Sequence, residues 1–121
     1  MRPEAVVVAQ ILEKWGACPD FHLRRNNSGA LLDRDGRLVR FGLPGSGDLE
    51  GFLSPRGRFL SIECKTSIGE QRQLQMNYQR MVQGRGGIYV VARSLAHFDV
   101  EIATVLERER DLTRRLMEVL A

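Results

Sequence analysis

The sequence has little of what metal-thiolate or histidine chemistry requires. Its 121 residues include two cysteines, Cys18 and Cys64, and two histidines, His22 and His97. The cysteines are too few and too far apart for a zinc site, and without a secretory leader they read as two reduced thiols. The isolated histidines leave histidine-metal nuclease or hydrolase chemistry without ligands. No apolar run approaches membrane-spanning length. Residues 5–9 form a short apolar stretch that is broken at Gln10. They lack a signal peptide's longer apolar region and small-residue cleavage site, so a cytoplasmic protein with no membrane partner is expected. Repeats, low-complexity segments and linkers are absent too, which makes residues 1–121 one domain with a single core. Aromatic residues are few, at 7%, and few of them lie beside basic residues where they could stack on unpaired bases.

The charge that is present leans basic. Lysine and arginine total 18 against 15 acidic residues, for a net +3, and arginine dominates. Its planar fork suits phosphate, so the balance permits a nucleic-acid partner without demonstrating one.

Local patterns divide the chain into alternating elements. Pro3 and Glu4 suit the first turn of a helix, continued by Val7, Ile11, Leu12 and Trp15 at helical spacing as far as Gly16. Residues 21–25 read as a short strand and Asn26-Asn27-Ser28-Gly29 as a turn. In the next stretch, 30–41, Asp35-Gly36 between apolar flanks signals a hairpin. Asp33, Asp35 and Gly36 imitate a calcium loop there, but its other ligands and closing glutamate are missing. A second hairpin joins 48–53 to 58–66 around Ser54-Pro55-Arg56-Gly57. A helix is expected over 70–83, with Leu74, Tyr78, Met81 and Val82 on one face. Residues 88–92, IYVVA, read as a strand covered on both faces; the Gly87-Ile88-Tyr89 triplet has no partner Tyr-Ile-Gly that would make it a nuclease signature. A helix over about 99–120 closes the chain. The order predicts an α/β fold, a mixed central β-sheet flanked by helices.

The second hairpin places charge where a half-buried sheet prefers neutral residues. Alternation turns Leu60, Ile62 and Cys64 to one face and Ser61, Glu63 and Lys65 to the other. A two-residue loop sets Leu53 against Arg58 and Asp48 against Glu63, with cross-strand Cβ atoms about 5 Å apart. A three-residue loop with a glycine bulge moves Asp48 opposite Cys64 instead. Two carboxylates that close repel unless a cation lies between them. With a main-chain carbonyl, that of Cys64, Asp48 and Glu63 form a hard oxygen site suited to Mg²⁺ or Mn²⁺. Such an ion polarises a phosphate oxygen and lowers the pKa of water, and Lys65 is placed to orient the nucleophile or offset charge on phosphate. The plain alternative is a solvated polar face on which Lys65 balances the carboxylates.

The ordered set Gly45-Ser46-Gly47-Asp48-Leu49, then Glu63-Cys64-Lys65, Gly69, Gln75 and the glycine-led strand Gly86-Gly87-Ile88-Tyr89-Val90-Val91 resembles the VRR-NUC family. These are the virus-type replication-repair nucleases of the PD-(D/E)xK superfamily, with the pattern G-x-x-D-L, E-x-K, a glycine and a helical glutamine. The resemblance spans the first helix to about Ser94 and implies a restriction-endonuclease-like core. It further implies metal binding by Asp48 and Glu63, assistance to the attacking water by Lys65, and a role for Gln75. It also implies a first-helix glutamate: Glu4, otherwise an ordinary acid at a helix N-terminus, or failing that Glu13. Where the family often has proline before the aspartate, this chain has Gly47, which a bend tolerates.

The resemblance implies an endodeoxyribonuclease that leaves 5′-phosphate and 3′-hydroxyl ends on branched or structured DNA, similar to phage or prophage enzymes acting in a bacterial host. Short stand-alone members resemble Holliday junction resolvases in acting as homodimers. Ile102, Val105, Leu106, Leu112, Leu116, Val119 and Leu120 are too many apolar residues for a free helix, so they cover the sheet or meet a second subunit. Candidate phosphate contacts are Arg24, Arg25, Asn26, Asn27, Arg37, Arg40, Arg56, Arg58 and Arg72. The alternatives are a non-catalytic DNA-binding or scaffold module with the same fold, and a nuclease for linear DNA or RNA.

Overall fold

A computed structural model describes residues 2–121. Helix α1, Pro3–Trp15, begins with proline at its first turn and ends where the Gly16 N–H donates to the Leu12 carbonyl at 2.9 Å. The strands are β1 (Phe21–Arg25), β2 (Gly29–Leu32), β3 (Leu38–Phe41), β4 (Leu49–Leu53), β5 (Arg58–Cys64) and β6 (Ile88–Ala92). Helix α2, Gln73–Gly84, connects β5 to β6, and α3, Leu95–Leu120, follows β6. The main sheet has the order β1-β4-β5-β6, antiparallel except for the parallel β5–β6 pair. The fold is therefore mixed α/β, a mixed sheet flanked by helices. No helix is long and apolar enough to cross a membrane among the described residues.

One sheet face is sealed by α1 and α3. Val7, Val8 and Ile11 of α1 and Phe98, Ile102 and Leu106 of α3 pack on Leu49, Leu60, Ile62, Cys64, Val90 and Ala92. On the other face, Tyr78 and Val82 of α2 close over Tyr89. Strand β5 is consequently buried on both sides. Ser61, Glu63 and Lys65 lie under cover at 0%, 4% and 9% exposure, which removes the solvated polar face as an explanation for their charge.

Two helix starts differ from expectation. Helix α2 begins at Gln73 rather than Glu70, because the first turn is set by the Gln75 side chain, whose Oε1 accepts from the Arg72 N–H at 2.8 Å. Helix α3 begins at Leu95 rather than about Asp99, capped by Ser94, whose hydroxyl accepts from the His97 N–H at 3.0 Å. Asp99 is left free to tie α3 to α1, accepting from Lys14 Nζ at 2.7 Å and Trp15 Nε1 at 2.8 Å.

The apolar residues of α3 divide between two fates. Ile102 and Leu106 cover the sheet, whereas Leu112, Leu116, Val119 and Leu120 are exposed.

Candidate active site

The Leu49–Ile62 and Leu53–Arg58 pairings select the first of the two registers, so counting back one residue sets Asp48 across from Glu63. Gly47 makes the approach possible. A Cβ at that position would lie 2.3 Å from Ser61 Oγ and 2.9 Å from the Ile62 carbonyl oxygen. The glycine that replaces the resembled family's proline is thus demanded by the neighbouring strand. Asp48 is then held twice: its carboxylate accepts from the Cys64 N–H at 2.7 Å, and its carbonyl accepts from the Asn26 N–H at 2.9 Å. Asn26 Nδ2 donates in turn to Ser46 Oγ at 2.8 Å and to the Gly47 carbonyl at 2.9 Å, bracing the turn that presents Asp48.

Glu63 is positioned from α2. Gln75 Nε2 donates to Glu63 Oε1 at 2.8 Å while its Oε1 caps the helix, so one amide sets both the helix start and the carboxylate. Lys65 Nζ lies 3.7 Å from the same Glu63 oxygen. Beyond Lys65, the Arg93 guanidinium donates to the Thr66 and Gly69 carbonyls at 2.9 and 2.6 Å, pinning the loop that leaves β5.

These groups open into a cleft of about 470 Å³ lined by Arg2, Glu4, Ala5, Val8, residues 25–28, Asp48, Glu63, Cys64, Lys65, Arg72 and Gln75. Of the two first-helix candidates, Glu4 lines the cleft and Glu13 does not. Arg25, Asn26, Asn27 and Arg72 line it also. Arg24 does not: it alternates away from Arg25 and pairs in register with Glu50. Arg56 and Arg58 lie outside the cleft, and both are engaged by Glu109 of α3. Arg58 Nη1 donates to it at 2.8 Å and Arg56 is in contact with its other oxygen. Long-range pairing of this kind has no local sequence signal.

Burial, followed by the nearby Asp48 charge, pushes the Glu63 carboxyl up to about 8, against the pull of Lys65. Asp48 is raised as well, chiefly by burial, with the Cys64 N–H opposing. Burial also raises the Cys64 thiol, with Asp48 and Glu63 adding to the effect.

No group of three or more histidine, cysteine or acidic side chains with metal-holding geometry occurs among the described residues. The donors that do converge are Asp48 and Glu63, with Cys64 beside them and Glu4 at the rim. Oxygen donors bearing poorly compensated negative charge match a hard divalent cation, and Asp48, Glu63 and the Cys64 carbonyl would hold it.

Sequence reasoning missed Arg2 at the cleft and the buried Glu50. The Glu50 carboxylate accepts from Ser61 Oγ at 2.9 Å and from the Tyr78 hydroxyl, linking β4, β5 and α2 behind the site. Its signal was faint, a carboxylate between Leu49 and Gly51 on an otherwise neutral strand. No protein-family model matches this chain, and no curated protein matches it either.

Proposed function

We propose that this protein is a metal-dependent endodeoxyribonuclease of the VRR-NUC type, with a PD-(D/E)xK core, that hydrolyses phosphodiester bonds in branched DNA. The observation that carries the reading is the convergence of Asp48, Glu63, Lys65 and Gln75 in one polar cleft rimmed by Arg2, Arg25 and Arg72. Asp48 and Glu63, with the Cys64 carbonyl, would hold Mg²⁺ or Mn²⁺, which would supply Lewis acidity toward a phosphate oxygen and acidify water. The chain's own groups do the rest. Gln75 and the Cys64 N–H keep the two carboxylates oriented, as outer partners of metal ligands do. Arg25 and Arg72 seat the phosphate from the rim. Lys65, two residues beyond Glu63, donates to the attacking water or to charge gathering on the phosphate. The resemblance adds 5′-phosphate and 3′-hydroxyl products, a bacterial cytoplasm as the place of action, and a homodimer, for which the exposed Leu116, Val119 and Leu120 offer apolar surface.

One observation favours a second reading, a metal-free DNA-binding module: no third acidic side chain completes a ligand cluster among the described residues. The two readings separate when purified protein meets labelled four-way junction, duplex and single-stranded DNA with Mg²⁺, Mn²⁺ or EDTA. Metal-dependent cleavage that is strongest on the junction is the expected result. Equal cleavage of all substrates keeps the chemistry and discards the junction preference. Binding with no cleavage under any condition leaves the module.

A further inference from the structure

The β2–β3 ribbon joins no other strand, and all eight of its residues are exposed. Its register puts Leu31, Val39 and Phe41 on one face and Leu32, Leu38 and Arg40 on the other. Leu31 and Leu32 are 66% and 70% exposed. A lone two-stranded hairpin is marginal in water, and apolar residues on both of its faces contribute nothing to this chain's core. Residues 24–43 also contain five arginines against two aspartates, a net charge equal to that of the whole chain, +3. The Asp33 carboxylate is spent within the tip, accepting from the Asp35 and Arg37 N–H groups at 2.9 and 2.8 Å. The ribbon is rooted on the cleft. Asn27 and Ser28, which line it, lead into β2. Gly42, at φ +73°, closes so tightly behind β3 that a Cβ would lie 2.6 Å from both the Asn27 carbonyl oxygen and Ser28 Cβ.

We infer that this ribbon is a DNA wedge. Its apolar side chains lie against bases unstacked at a branch, while Arg34, Arg37 and Arg40 hold the adjoining phosphates and lead one strand into the cleft. This rests on the DNA-cleaving reading above. Apolar side chains inserted at base steps unstack and kink DNA, and arginine supplies the sequence-independent attraction. A second copy of the chain is the poorer occupant, since a two-fold contact through this ribbon sets arginines against arginines.

The test titrates the protein in EDTA, which keeps the DNA uncut, into a four-way junction with 2-aminopurine at the branch and into a duplex with the same base inside. Fluorescence should rise several-fold on the junction and little on the duplex. Leu31→Ser combined with Val39→Ser should keep the parent's melting temperature, bind the junction about tenfold more weakly and leave the base stacked. Arg37→Ala combined with Arg40→Ala should reduce the salt dependence of binding by about two phosphate contacts. The wedge is overturned by absence of DNA binding, by binding without a fluorescence rise, or by either double variant behaving as the parent. It is also overturned if the serine variant dissociates a dimer in sedimentation with junction affinity unchanged, which assigns the ribbon to a second copy. The cleavage reading fails separately, through absence of metal-dependent cutting by the unsubstituted protein; unstacking at the junction in that case still supports the wedge.

Discussion

At the scale of single residues, the site depends on one missing side chain and one costly charge. Gly47 lies against Ser61 Oγ and the Ile62 carbonyl, and any side chain there forces β4 and β5 apart just where Asp48 and Glu63 meet. Gly47→Ala should lower stability by about 1–3 kcal/mol, read as a drop in the urea midpoint at constant slope; an unchanged midpoint means that the strands give way freely. Glu63 carries the opposite burden. Its carboxyl, pushed up to about 8 from an ordinary 4.5, is easier to ionise in the unfolded chain than in the fold. Its contribution to stability is therefore fully present below 4.5 and is lost as pH rises through about 8. In EDTA, Glu63→Gln should melt higher than the parent at pH 9 and nearly with it at pH 4. A parent that is equally favoured at both pH values contradicts the burial argument.

At the scale of elements, the helix positions depend on polar contacts that local pattern reveals unevenly. Ser94 caps α3, and Ser94→Ala should cost about 1 kcal/mol in chemical denaturation. The larger loss belongs to Glu109, buried at 2% exposure between Arg56 and Arg58. Glu109→Ala leaves two guanidinium groups that keep water, the Thr113 hydroxyl and the Gly86 carbonyl as partners, and should cost about 1–2 kcal/mol, seen as a fall in melting temperature; loss of less than about 0.5 kcal/mol places the pair among ordinary surface bridges. The elements themselves were largely legible. Pro3 and Gly16 bracketed α1, Asp35-Gly36 marked the first hairpin tip, and IYVVA marked β6, because each signal lies within a few residues of its effect. The site was legible as residue types and order, in Asp48, Glu63, Lys65 and Gln75. The burial of both faces of β5 was not, since α2 covers it from 12 or more residues away in sequence. The Glu109 pairing spans more than fifty residues, and the early start of α3 turned on the Ser94 cap, which the apolar spacing of the helix does not reveal.

At the scale of the molecule, the sheet, the three helices and the ribbon frame the polar cleft and leave the ribbon and the end of α3 as exposed apolar surfaces. If the α3 end is the dimer surface, Leu116→Glu combined with Val119→Glu should halve the sedimentation mass of the parent without changing its helical signal; a parent that already sediments as a monomer removes the dimer from the account. The central claim concerns chemistry in the cleft, and Lys65 tests it most directly, because its loss removes the proposed reacting group while leaving the Gln75 and Cys64 N–H contacts of Glu63 and Asp48 in place. Single-turnover cleavage of labelled junction DNA in saturating Mn²⁺ should be about 10²–10³-fold slower in Lys65→Ala than in the parent, with the Mn²⁺-induced rise in melting temperature retained. Cleavage by Lys65→Ala at the parent's rate would contradict the account.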